Sequence, residues 1–275
     1  MEERMIDITY CYLEDTMGDD WEKKYSSRKF KDPDRYSKRL YKDLMYIWEN
    51  LPHDERYSPD FIGANRTQAH CIGLDDKEIA KYLKTQRTIG GHILFPVLPY
   101  VSINQARGRN MLDRFDFTLA ELREYFLYLY IEEKDKTPYE ARYSIQLGNA
   151  FEAEKNRTWF AYFCKEKKSG EEAFKAFIDC FCLNEFVDCE YKVLSLVCSD
   201  LRNGAKEPIG EEEAYFPGFP QRCRVVHVPT IQKRFEAMEQ SEKKEVQEAY
   251  RCYIQNTSYA IEQRKIAIKD KLKER

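Results

Sequence analysis

Thr118-Leu-Ala-Glu121 opens a stretch, continuing through Tyr125 to Ile131, whose reading decides the fold. A side-chain oxygen followed three residues later by Glu can satisfy the free amides of a helix start. The same pattern recurs at Thr137-Pro-Tyr-Glu140 and Ser169-Gly-Glu-Glu172. The second copy also places Pro at the first helical position, where its missing amide costs nothing. From Thr118 onward the chain therefore reads as helices. Gly204, Pro208 and Gly210, then Pro217-Gly218 and Pro220, mark a loop from Gly204 to Pro220. Beyond Pro229 the pattern is helical again, with an imperfect stripe of Val246, Tyr250, Tyr253, Thr257, Ala260, Arg264 and Ala267. The stripe predicts one long or broken helix packed on the body. Its basic C-terminal end is expected to fray, with Arg264 solvated.

Upstream, the pattern is mixed. Asp32-Pro33-Asp34 predicts a helix start, Tyr36, Leu40, Leu44 and Ile47 follow at helical spacing, and Leu51-Pro52 ends the run. Leu74 to Lys84 predicts a short helix introduced by Asp75 and Asp76. Thr88-Ile-Gly-Gly-His-Ile-Leu-Phe-Pro96 is β-rich and punctuated by Gly90 and Gly91. It predicts a buried strand whose glycine pair admits another backbone or a ligand, with Val101 to Asn104 as its pairing partner. The expectation is an α+β fold, mainly α, with a helical body and a small β element in the first half. It forms a single domain over residues 1–275, with an irregular wrapping segment at 1–31 and a C-terminal helical segment at 229–275.

Composition removes several classes of function. A 275-residue chain can bury a core without disulfides or metals. Its 43% hydrophobic content excludes a disordered chain, and 11 glycines and 10 prolines exclude a collagen or linker. A net charge of −3 excludes a generically basic nucleic-acid binder, so any such binding needs a local patch. Met1 to Tyr10 holds no apolar run of signal-peptide length, and no stretch approaches the roughly 18 apolar residues of a membrane span. The expected setting is cytoplasmic, with no membrane partner. Nine cysteines, several in apolar company as in Cys180-Phe-Cys182, fit a reducing compartment. No zinc spacing, dinucleotide or phosphate-loop motif, metalloprotease motif or serine-hydrolase motif is present. No cofactor, metal or structural disulfide is expected.

Chemistry concentrates between His92 and Thr118. Asn104, Gln105, Arg107, Arg109 and Arg114 interleave with Asp113 and Asp116 between a predicted strand and a predicted helix. Arginines offer forked donors to phosphate, and amides can read a base edge. From Lys81 to Arg114, six basic residues face one acidic residue, a local charge of about +5 within a chain of −3. Gly90, Gly91, Asn104, Gln105, Arg107, Arg109 and Arg114 are the candidate ligand-binding set. His92, Asp113 and Asp116 are the candidate acid and bases. Against this stands a structural reading. The arginines pair with Asp113 or Asp116 to fix a loop, His92 is a hydrogen-bonded core residue, and the aspartates serve a helix N-terminus.

Thr88-Ile-Gly-Gly91, Phe95-Pro96, Ser102-Ile-Asn-Gln-Ala-Arg-Gly108 and Asp113-Arg-Phe-Asp116 followed by Thr118-Leu119 resemble an uncharacterised family of bacterial proteins, a domain of unknown function. In that family an IGG–FP segment precedes an INQARG motif and a DRFDLTL-type helix start. Asp32 to Lys38 and Phe177 to Leu183 resemble its flanking motifs more loosely. The chain departs from the pattern at Phe117, where the family has Leu, an apolar exchange. The resemblance implies a fold and a location for the site, and no reaction.

Three functions compete. The first is a protein that binds a phosphate-bearing ligand, a nucleotide or RNA, through Arg107, Arg109 and Arg114, with Tyr100 and Phe115 available for stacking. The second is an enzyme of phosphate-ester or nucleotide chemistry, in a toxin or defence setting, with Asp113 or Asp116 as base and His92 as acid. The third is a protein-interaction module with a structural arginine–aspartate network. Oligomeric state is left open.

Overall fold

Strand-forming residues are few, and the sheet is correspondingly small. A computed structural model of the chain describes residues 57–62, 66–86, 88–96, 103–108, 114–210, 213 and 228–273. The expected wrapping segment 1–31 and the helix expected at 32–51 lie outside the described residues. Strand β1 (Tyr57–Phe61) pairs antiparallel with β2 (His92–Pro96), in a register running from Tyr57 opposite Pro96 to Phe61 opposite His92. All five residues of β2 are buried, as its continuous apolar run requires. The pairing partner differs from the one expected. Ile103 and Asn104 belong to helix α3 (Ile103–Gly108), in which Ile103, Ala106 and Arg107 are all buried. That spacing of three and four is helical, and it overrides the strand reading of the same residues.

Helix α1 spans Arg66–Cys71 and α2 spans Asp76–Gln86. Asp75, just before α2, forms a full capping box with Glu78. Asp75 Oδ1 accepts from the amides of Lys77 and Glu78, and Glu78 Oε2 accepts from the Asp75 amide at 3.0 Å. Helix α4 (Phe115–Leu129) begins three residues before Thr118, so Thr118 and Glu121 lie inside it and form no box. Nor does a helix begin at Thr137. Helix α5 (Ile145–Phe151) starts instead behind Ser144, whose Oγ accepts from the Leu147 amide. Helix α6 spans Glu154–Cys164. Helix α7 (Gly170–Cys180) does start at the expected box: Ser169 Oγ accepts from Glu172, while Glu172 reaches back to the Lys168 amide. Helix α8 spans Val228–Glu236 and α9 spans Gln240–Lys273. Helices dominate, with one two-stranded sheet among the described residues.

Aromatic rings fill the core. Trp159 of α6 meets Phe95 of β2 at 5.9 Å, and Phe126 of α4 meets Phe160 at 5.2 Å, both edge to face. Phe163 and Phe177 join α6 to α7 at 5.3 Å. Along α9, Val246, Tyr250, Tyr253, Thr257 and Ala260 are buried, as the stripe predicts, and Arg264 is buried with them. Ile268 then continues it in place of the exposed Ala267. No described helix is long and apolar enough to cross a membrane.

Candidate functional site

The DRFD segment forms a buried ionic frame. Arg114 grips Asp116 with two bonds, Nε–Oδ1 at 3.0 Å and Nη2–Oδ2 at 2.5 Å, and both side chains are inaccessible to solvent. Arg114 Nη2 also reaches Glu213 at 2.7 Å, and Ser195 Oγ donates to the same carboxylate oxygen. Asp116 accepts two further bonds, from the amides of Phe117 and Leu196. One carboxylate thus serves the first turn of α4 and ties it to the chain near residue 196. Burial works against the Arg114 charge, but Asp116 and Glu213 more than offset it and raise its pKa. The Arg114 guanidinium also lies 4.2 Å above the Phe117 ring. At the α4 start the Phe115 amide donates to Tyr253 Oη of α9.

Arg107 is buried as well. Its guanidinium lies between the rings of Phe95 and Phe115, at 5.8 and 5.1 Å, and its Nε donates to Thr118 Oγ1 at 3.4 Å. His92 is fully buried on β2, with Nδ1 at 2.7 Å from the Thr88 carbonyl. A carbonyl only accepts, so Nδ1 carries the proton. Gly90 and Gly91 form the 3-10 turn Ile89–Gly91 ahead of β2. A Cβ at Gly90 would collide with the Ile261 carbonyl of α9, and one at Gly91 with the Gln86 carbonyl of α2. The glycine pair admits neighbouring backbone at both positions. Asn104 and Gln105 fall on the α3 backbone, and their side chains, like Arg109 and Asp113 altogether, lie outside the described residues.

The solvated Arg264 expected from the sequence is instead buried, 1% exposed. Its Nε donates to the Phe181 carbonyl at 2.8 Å, and its Nη1 donates to the carbonyls of Gly90 at 2.5 Å and His92 at 2.6 Å. Burial lowers its pKa to about 10. The correction has a simple cause: Arg264 sits four residues after Ala260, on the inward stripe of α9. The helix is also described through Lys273.

An open, charged cleft of about 260 Å³ lies between α2, the 3-10 turn Leu201–Asn203 and α9. Helix α2 supplies Glu78, Lys81 and Tyr82, which share one face at spacings of three and four. Helix α9 supplies Arg251, Gln255 and Ser258, and the turn supplies Arg202. Asn256 fixes that turn: its Oδ1 accepts from the Leu201 amide, and its Nδ2 donates to the carbonyls of Leu196 and Ser199. Lys81 and Arg202 are exposed to solvent. Arg251 Nη2 pairs with Glu78 Oε1 at 2.8 Å and Nη1 with Glu248 at 3.5 Å. The Arg251 bond and the Asp75 amide hold the Glu78 carboxyl below the usual range. Lys81 belongs to the basic run singled out in the sequence. Arg202 and Arg251 do not, because chain separations above 100 residues leave no local signal of convergence.

The seven described cysteines are free thiols, and burial pushes Cys180 up to about 12, far from a reactive thiolate. No group of three or more His, Cys, Asp or Glu side chains that could hold a metal occurs among the described residues. A family model, that of a family of unknown function (DUF6994), matches residues 53–268, a span that includes both the buried frame and the cleft. No curated protein and no solved structure matches the chain.

Proposed function

From the premise that the chain belongs to DUF6994, a family of unknown function, we propose that it binds a phosphate-bearing ligand, a nucleotide or RNA. The anionic group of that ligand is received in the cleft between α2 and α9. The observation that carries this reading is the convergence of Lys81, Arg202 and Arg251 from three separate elements on one open cleft. Cations brought together from distant points in the chain repel one another, and an incoming anion relieves that repulsion. Gln255 adds an exposed amide donor, whereas the Ser258 hydroxyl is spent on the Ile254 carbonyl at 2.6 Å. In this reading Arg107 and Arg114 are the frame behind the surface. The enzymatic reading has less support, because all the Asp116 lone pairs that face its neighbours are already taken by Arg114, Phe117 and Leu196. The interaction-module reading draws on the same frame, whose Arg114–Asp116 pair is closed.

The test is a titration of the full chain with nucleotides and short RNA at two salt concentrations. Lys81→Ala and Arg202→Ala are each expected to weaken binding about tenfold, the scale of one charge-assisted hydrogen bond. Lys233→Ala, an exposed cation on α8, should leave it unchanged. Equal losses in all three variants, or no binding by the parent, overturn the reading.

A further inference from the structure

Resting on that reading of the cleft, we propose that its ligand presents a terminal, dianionic phosphoryl group, and that Glu78 is the internal counter-ion this group displaces from Arg251. Three cations and one carboxylate line the cleft, a net charge of +2 from the lining residues, with Glu248 meeting Arg251 from outside the lining at 3.5 Å. A terminal phosphate, carrying about −1.5 to −2 at neutral pH, balances that charge, whereas each backbone diester brings a single negative charge. Size points the same way. At about 260 Å³ the cleft lies below the roughly 300–1,000 Å³ of ordinary small-molecule pockets. A ligand that enters by one phosphoryl group and part of a sugar is in keeping with that volume.

Glu78 is held at two points. Its Oε1 meets Arg251 Nη2 at 2.8 Å and Nε at 3.3 Å, while its Oε2 accepts from the Asp75 amide at 3.0 Å. The guanidinium fork that would clasp a phosphoryl oxygen pair is therefore already turned to a carboxylate of the same chain. A ligand binds by exchanging one anion for another on Arg251, so Glu78 sets a threshold that only a more highly charged group passes. The exchange leaves α2 in place, because Asp75 Oδ1 continues to accept from the amides of Lys77 and Glu78.

The experiment titrates the full chain with adenosine 5′-monophosphate, adenosine 3′,5′-cyclic monophosphate and adenosine, which share a base and differ in the anionic group. It also includes a short RNA without a terminal phosphate. The monophosphate is expected to bind about tenfold or more tighter than the cyclic diester, and adenosine not to bind. Glu78→Gln keeps an oxygen for the Asp75 amide and removes the charge, and should tighten monophosphate binding about threefold to tenfold. Glu78→Ala, whose cap from Asp75 persists, should do the same, with melting temperatures recorded first for both. Diester or RNA binding as tight as the monophosphate overturns the ligand class. Unchanged or weakened binding in both Glu78 variants overturns the counter-ion role. If a diester is preferred and Lys81→Ala still weakens it, the cleft stands and this inference falls. If the parent binds no anion at all, both fall.

Discussion

Arg264 carries a permanent charge into the interior and disperses it over three carbonyls, from Phe181, Gly90 and His92. Carbonyl dipoles suit such a cation, and the cation in turn serves acceptors on the 3-10 turn, on β2 and at the end of α7. Removing it strands those acceptors and opens a void. Arg264→Ala is therefore expected to lose about 3 kcal/mol of stability, and Arg264→Lys less, because an ammonium keeps the charge without the fork. Denaturant unfolding of the three proteins is the measurement, and an Ala variant as stable as the parent would show that the carbonyls find other donors. Arg114 and Asp116 follow the same logic with a carboxylate as acceptor: both are fully buried, so neither can be read as a surface charge.

Elements meet where side chains are missing. The turn Ile89–Gly91 lies against α9 on one side and the end of α2 on the other, and only glycine leaves room for both. Gly91→Ala would push a methyl group into the Gln86 carbonyl and is expected to cost about 2 kcal/mol or more, within the range for overpacked sites. Gly210→Ala meets nothing within 4 Å and should stay within about 0.5 kcal/mol of the parent. Paired thermal melts separate the two, and equal melting temperatures would refute the account. Helix starts obey the same economy of backbone groups. Glu121, inside α4 and not at its start, instead receives the amides of Arg142, Tyr143 and Ser144 and the hydroxyl of Tyr139. A buried acceptor goes where the most unsatisfied donors are.

At the scale of the whole molecule, Glu121 links stability to pH. Burial raises its pKa, against the pull of its four donors. A carboxyl with a folded pKa above the unfolded value of about 4.3 makes a contribution that is full below that value. The contribution is lost as pH rises through the folded pKa. Melting temperatures of the parent should therefore fall, relative to Glu121→Gln, as pH is raised from about 4 toward 7. The variant should be less stable throughout, because an amide nitrogen would face backbone donors, and its pH profile should be flatter. Parallel profiles would remove Glu121 as the source. The backbone of this unit is α9, which touches the rest through Tyr253, Asn256, Arg264 and Gln247, the last donating to the Ile72 carbonyl at 2.9 Å.

Local patterns were enough for the helical character, the box at Ser169, the α9 stripe as far as Ala260 and a buried strand within Thr88–Pro96, whose first part forms the 3-10 turn Ile89–Gly91 instead. Each depends on residues within about one or two turns of one another, which periodicity and capping chemistry report directly. The polar run from His92 to Thr118 was also legible as a concentration of charge, but its direction was not. Whether Arg114 faces water or Asp116, and whether Gly90 admits a ligand or α9, depends on chain segments 80 or more residues away, such as Leu196, Glu213 and Ile261. The cleft was beyond the sequence for the same reason. Lys81, Arg202 and Arg251 lie on separate elements, and only the packing of α9 against α2 and the 3-10 turn brings their charges to one place. Sequence sets which groups can be charged, apolar or hydrogen-bonding, while tertiary structure sets which of them meet, because long-range proximity has no local energetic signature.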